Sequence, residues 1–169
     1  STIDKASLTV AAVAQTKTYD GTTNVNNTTG YTLTGLVSGE NVTASLAYAD
    51  KNAGAANKTI AVSNATAGAN TSLSNYNVTL VDNTTSTINK ANLTVAVNND
   101  AKFVTQTDNA SYNGLSSSGL VSGDTLSSAL GGAPTISRTN AGTENAGTYT
   151  GVLSIGNVAS SNYNLTVQS

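Results

Sequence analysis

Apolar and polar residues alternate through several short runs of the chain. Leu8, Val10 and Ala12 fall on one face of an extended segment, as do Val42, Ala44, Leu46 and Tyr48, then Ile60 and Val62, then Tyr76, Val78 and Leu80. A period of two is the signature of half-buried strands. The later chain repeats it at Leu93, Val95 and Val97, at Leu153 and Ile155, and at Tyr163, Leu165 and Val167. Clusters of Asn and Gly separate these runs and mark turns. Only "DTLSSAL", residues 124–130, reads as a helical turn, with Asp124 as its N-cap; its counterpart "ENVTASLAY" alternates and reads as strand. The pattern predicts an all-β fold with one short helix in its second half, and both a β-sandwich and a β-grasp-like sheet fit it.

Order in the pattern comes from duplication. "STIDKASLTV" at residues 1–10 returns as "STINKANLTV" at residues 86–95, an offset of 85. "GLVSG" at residues 35–39 recurs at 119–123, and "SNYNVTL" at 74–80 recurs as "SNYNLTV" at 161–167. Asn52-Ala53-Gly54 matches Asn145-Ala146-Gly147 at a larger offset of 93, which places an insertion around "GGAPTISRT" in the second copy. The chain therefore divides into two tandem small β-rich modules, residues 1–88 and 89–169, expected to lie end to end. Ile3 and Leu8 are five apart, as are Ile88 and Leu93. If both ends of each stretch are buried, parity must switch between them, through a bulge or a change of sheet near Lys5-Ala6 and Lys90-Ala91.

Composition narrows the function. Charged residues make up 9% of the chain, with seven Lys plus Arg against nine Asp plus Glu, so there is no basic field to attract nucleic acid or anionic lipid. No apolar run reaches the length of a membrane span, and "STIDKASLTV" lacks the features of a signal peptide. The expectation is a soluble, monomeric segment with no membrane insertion, its export signal lying elsewhere. Cys, His, Met and Trp are all absent, which removes thiol nucleophiles, imidazole bases and the usual zinc ligands. The acids are scattered, with no calcium-loop spacing, and no Gly-rich phosphate loop opens a helix. The chain is expected to be no enzyme and to carry no cofactor or metal.

"KTYDGTT" at residues 17–23, shortly after "KASLTV", resembles the YDG repeats of large bacterial adhesins. The second copy is similar to the MBG repeats that accompany them in filamentous-haemagglutinin-like and biofilm-matrix adhesins. The segments that carry this second likeness are "KANLTVAVNNDAKF", "GLVSGDTLSSALGGAPTIS", "NAGTYTGVLSI" and "SSNYNLTV". The resemblance implies an extracellular location on or near a bacterial surface, export by a two-partner or related route, and a role as stalk or spacer in adhesion or biofilm formation. In the second copy Val104, Thr105 and Gln106 stand where Tyr19, Asp20 and Gly21 stand in the first, and Phe103 occupies the region of the "KTYG"-type aromatic.

Five residues are candidates for ligand binding: Tyr19, Asp20, Tyr76, Asn77 and Tyr163. An exposed ring would meet a sugar face and the polar groups its hydroxyls, making host or matrix glycans the partners; in a homotypic adhesion module, Thr- and Asn-rich strand edges would pair between cells and the partners would be neighbouring adhesin copies. Against this stands a plainer reading of Tyr19-Asp20-Gly21 as a tight turn in which Gly21 takes a positive φ and Asp20 bonds nearby backbone N–H groups. The Asn-Tyr-Asn triplets around Tyr76 and Tyr163 occur in both copies, as a shared structural role would require. Eleven Asn-X-Ser/Thr sequons, modestly more than composition gives by chance, are acceptors for glycosylation if the chain meets the enzyme. A Lys-to-Asn amide crosslink would need a buried Lys such as Lys17 or Lys102 beside an Asn and an acid.

Overall fold

The computed structural model describes residues 1–142 and 145–169. The chain forms two compact units, residues 1–89 and 90–169.

In the first unit, β1 (Ala6–Ala12) lies between β3 (Tyr31–Thr34), which pairs antiparallel, and β6 (Tyr76–Val81), which pairs parallel; β2 (Thr16–Thr18) belongs to a second sheet. That sheet has the order β2-β7-β5-β4, with β4 (Val42–Tyr48), β5 (Gly54–Ala67) and β7 (Asn83–Asn89). Alternation decides the inward face. Leu8 and Val10 from β1 meet Val42 from β4, Val62 from β5 and Tyr76 from β6 in one buried cluster, with Leu33, Ala44 and Leu46 around it. The unit is thus a two-sheet sandwich, stabilised by the apolar area removed from water between the sheets. The long β5 bends to serve two partners: its register shifts against β4 near Asn64 and against β7 near Ala56, and both residues have positive φ. These are β-bulges, and Asn accepts that backbone more readily than most residues.

The second unit repeats the first sheet. β8 (Ala91–Val97) lies between β9 (Leu115–Ser118), antiparallel, and β12 (Tyr163–Gln168), parallel, the same arrangement as β3-β1-β6. Leu93 and Val95 are buried as Leu8 and Val10 are. Among the described residues its other sheet is an antiparallel pair, β10 (Thr135–Arg138) with β11 (Leu153–Gly156). Before it lies α1 (Leu126–Ala129), whose last residue Ala129 and C-cap Leu130 are buried.

Two expectations take a different form in the structure, and a third takes one of the two forms expected. The N-cap of α1 is Thr125, not Asp124: its hydroxyl accepts from Ser128 N–H while the Ser128 hydroxyl accepts from Thr125 N–H, a reciprocal box. Asp124 is engaged elsewhere, accepting from the Tyr163 hydroxyl at 2.6 Å. On β6 and β12 only Tyr76 and Tyr163 are buried, whereas Val78, Leu80 and Val167 are exposed, because each strand lies at the edge of its sheet. The parity switch in "STINKANLTV" is a change of sheet: Ile88 is buried in β7, Leu93 in β8, and Lys90 alone separates the strands. Its counterpart Ile3 is fully exposed.

Candidate functional site

The tripeptide at residues 19–21 caps a buried ammonium. Lys17 in β2 points inward, 4% exposed, between the strand and the loop that follows it. A charge there is tolerable only when fully bonded. Lys17 Nζ donates to Asp20 Oδ1 (2.8 Å) and to the carbonyls of Thr22 (2.8 Å) and Asn24 (2.9 Å), and it lies 5.2 Å from the centroid of the Tyr48 ring. None of these bonds reaches an Asn side chain, as an amide crosslink would require. Asp20 Oδ1 also accepts from Thr22 N–H and the Thr22 hydroxyl, both at 2.9 Å, and Gly21 turns the chain at φ +76°. Partial burial pushes the Asp20 carboxyl up, but the Lys17 and Thr22 hydrogen bonds and the Lys17 charge outweigh it and hold the group below its ordinary value. Tyr19 is buried at 3%, and its N–H donates to the Asn89 carbonyl of β7. Burial, followed by the nearby Asp20 charge, raises the Tyr48 phenol.

Tyr76 and Tyr163 perform one task in two places. Each sits at the head of its strand, and each hydroxyl accepts the N–H of the Val in the "GLVSG" loop: Val37 at 3.1 Å and Val121 at 3.0 Å. Each then donates to the acid after that loop, Glu40 and Asp124. The Glu40 hydrogen bond raises the Tyr76 phenol, with burial adding to it. Gly35 and Gly119 start the loops at φ +91° and +94°, and a Cβ on either would lie 2.1 Å from the Ser7 carbonyl oxygen or 2.4 Å from that of Asn92. Only glycine fits where loop backbone meets strand backbone that closely.

The five candidates are therefore placed as follows. Tyr19 and Asp20 share the loop after β2, with the ring enclosed and the carboxylate half-exposed but bonded to Lys17. Tyr76 and Tyr163 lie in different units, both rings enclosed. Asn77 follows Tyr76 on the exposed face of β6. The structure gathers no open aromatic platform from these residues.

It gathers one elsewhere. The second unit has a groove of about 950 Å³ lined by residues 99–104, by Tyr112 and Arg138, by residues 145–153 and by Ser169. On its walls Phe103 is 84% exposed and Val104 and Tyr149 are also open. Lys102 matches Lys17 at the offset of 85, but its carboxylate partner is Asp108, six residues on rather than three, at 3.2 Å. Arg138 Nε also approaches Asp108, at 3.3 Å. Burial pushes the Asp108 carboxyl up, and the Lys102 hydrogen bond and the two cations outweigh it, so the group stays low. Reading the sequence for repeated motifs missed this groove, because its walls are the parts of the second copy that diverge. Phe103, the single Phe of the chain, was the available signal.

Among the described residues no group of three or more acids could hold a metal ion, and no helix is long and apolar enough to cross a membrane. No curated protein and no solved structure matches the chain. Residues 4–87 match the YDG domain, and residues 93–169 match the MBG domain of the YGX type. The chain is thus a YDG-type module followed by an MBG-type module.

Proposed function

We propose that this chain is a non-catalytic structural repeat segment, a stalk or spacer, of a bacterial cell-surface or secreted adhesin that acts in adhesion or biofilm formation. The observation that carries this reading is the inward use of the motifs both modules share. Tyr76 and Tyr163 bond their own "GLVSG" loops, and in the first module alone Asp20 bonds the buried Lys17, so these groups hold together the modules that carry them. Modules that are each a self-contained folding unit add length without adding chemistry.

A carbohydrate- or matrix-binding module is the second reading, favoured by the exposed Phe103 and Tyr149 rings in the groove of the second module. Aromatic rings of this kind stack on apolar faces of ligands. A glycan-array screen of the two-module chain, with Phe103→Ala alongside, separates the two. The spacer reading expects a blank array for both proteins, whereas saturable binding lost in Phe103→Ala would replace it with a lectin-like module.

A further inference from the structure

Residues 6–18 and residues 76–89 of the first module run side by side in the same direction. β1 pairs parallel with β6, from Ala6 with Tyr76 to Ala11 with Val81, and β2 pairs parallel with β7, from Thr16 with Thr87 to Thr18 with Asn89. Between the two ladders both segments change sheet, residues 12–15 of one alongside residues 82–86 of the other. The segment that opens the module is therefore bonded, in both sheets, to the segment that closes it.

The crossing between the sheets is bonded as well. Gln15 N–H donates to Ser86 Oγ at 3.1 Å, and Thr87 N–H donates to the Gln15 carbonyl at 2.9 Å. The Tyr48 hydroxyl reaches in from β4, 3.2 Å from the Gln15 carbonyl and 3.3 Å from that of Thr87, and so ties the same two segments together. At the far end Tyr19 N–H donates to the Asn89 carbonyl at 2.8 Å. Ser86, Ile88 and the Tyr48 ring are all buried, and hydrogen bonds in such a low-dielectric setting are stronger than in water.

Direction decides how such a ladder fails. Parallel neighbours have their N-terminal ends together, so Ala6 and Asn89 lie at opposite ends of the paired track. Tension applied at those two points slides one segment along the other and loads every bond of both ladders and of the crossing at once. Tension that pulls Ala6 and Tyr76 apart, at one end of the track, breaks the ladder bond by bond. The geometry points to a force-bearing clamp: the first module resists tension between its ends through shear of residues 6–18 against residues 76–89, and Tyr48 and Ser86 join the two ladders into one unit. Its use in a cell rests on the spacer reading, since a stalk is loaded through the ends of its modules, whereas the clamp itself follows from the topology. The second module carries the matching parallel pair, β8 with β12.

Single-molecule pulling on the intact chain in two directions tests it. The chain has no Cys, so introduced cysteines alone set the points of attachment. Lys5→Cys with Lys90→Cys loads the track in shear, and Lys5→Cys with Asn75→Cys peels it from one end; all three positions are exposed. At one loading rate the rupture force in the first geometry is expected to be several times that in the second, with residues 6–89 released in a single step. Tyr48→Phe keeps the buried ring and removes the bridging hydroxyl, and it is expected to lower the shear force while leaving the peeling force unchanged. Equal forces in the two geometries overturn the clamp. Rupture in two steps, β1 from β6 before β2 from β7, overturns its action as one unit, and a Tyr48→Phe chain weakened equally in both directions overturns the part given to Tyr48. Forced unfolding reads the unfolding barrier and not ligand binding, so a glycan array that replaced the spacer reading would leave these outcomes unaltered.

Discussion

The second sheets of the two modules differ more than the first sheets do. In the first module four strands, β2-β7-β5-β4, close over a buried Lys17; in the second, two strands, β10-β11, stand beside an open groove in which Lys102 has a longer tether to its carboxylate. The first sheets, β3-β1-β6 and β12-β8-β9, share strand directions, the Gly-started loop and the tyrosine that bonds it. The comparison shows where each module keeps its stability. In the first module the polar groups around the enclosed ammonium are partnered, whereas the lysine of the second module stays partly in solvent at 22% side-chain exposure.

The largest effect that would sharpen this contrast comes from Ile88→Asp. An unpaired carboxylate in the buried position between β2 and β5 is expected to destabilise the first module by about 3–5 kcal/mol. Denaturant unfolding should show the transition of that module lost or moved to low denaturant, with that of the second retained. Ile3→Asp, the same change at the repeated position, is expected to leave both transitions in place. Equal losses from the two substitutions would contradict the difference in burial between Ile3 and Ile88.

Gly35→Ala and Gly119→Ala test the shared part. Each puts a Cβ into a strand carbonyl and forces a positive φ on Ala, so each should cost its own module about 2–4 kcal/mol, and by similar amounts. A large difference between them would show that the first sheets are less alike than their topology suggests.

Lys17→Met probes the enclosed charge. It leaves two carbonyls without the ammonium donor and Asp20 with only its Thr22 donors, and is expected to cost about 2–3 kcal/mol, read as a lower unfolding midpoint for the first module. Lys102→Met should move the second module far less, since its partners face the groove and can turn to water. A comparable shift in both would place Lys102 in a role as structural as that of Lys17.

The smallest effect is the response to acid. Asp20 and Asp50 are both held below the ordinary carboxylate value of 3.8; for Asp50 the Lys58 hydrogen bond is the main cause. A depressed folded-state pKa contributes stability that is complete above the unfolded value and lost as pH falls through the folded one. The first module should therefore weaken gradually below about pH 4. Thermal unfolding between pH 5 and pH 2 should show that decline reduced in Asp20→Asn, because the substituted group no longer takes up a proton. Both carboxylates are half-exposed, so water screens the effect and keeps it modest.

Much of the fold was legible along the chain. Period-two alternation around Leu8, Val10, Leu93 and Val95 marks the central strands, and the repeat of "GLVSG" and "SNYN" announces the loop and the tyrosine that meet it. These signals are local or duplicated, and strand faces and tight turns are governed by local sterics and side-chain parity. The same alternation misled at Val78, Leu80 and Val167, because an apolar face is buried only if another layer covers it. Asp124 likewise fits an N-cap by type, and only the position of Tyr163 directs its carboxylate away from the helix. Whether Ile3 and Ile88, alike in sequence, are exposed or buried depends on which strands lie beside them. Sequence determined the all-β class, the two-module division and the repeated turns, since these follow from neighbours a few residues apart. Tertiary structure alone decided that the candidate tyrosines are enclosed and that the open surface lies in the divergent second sheet, because burial is a property of what packs across space.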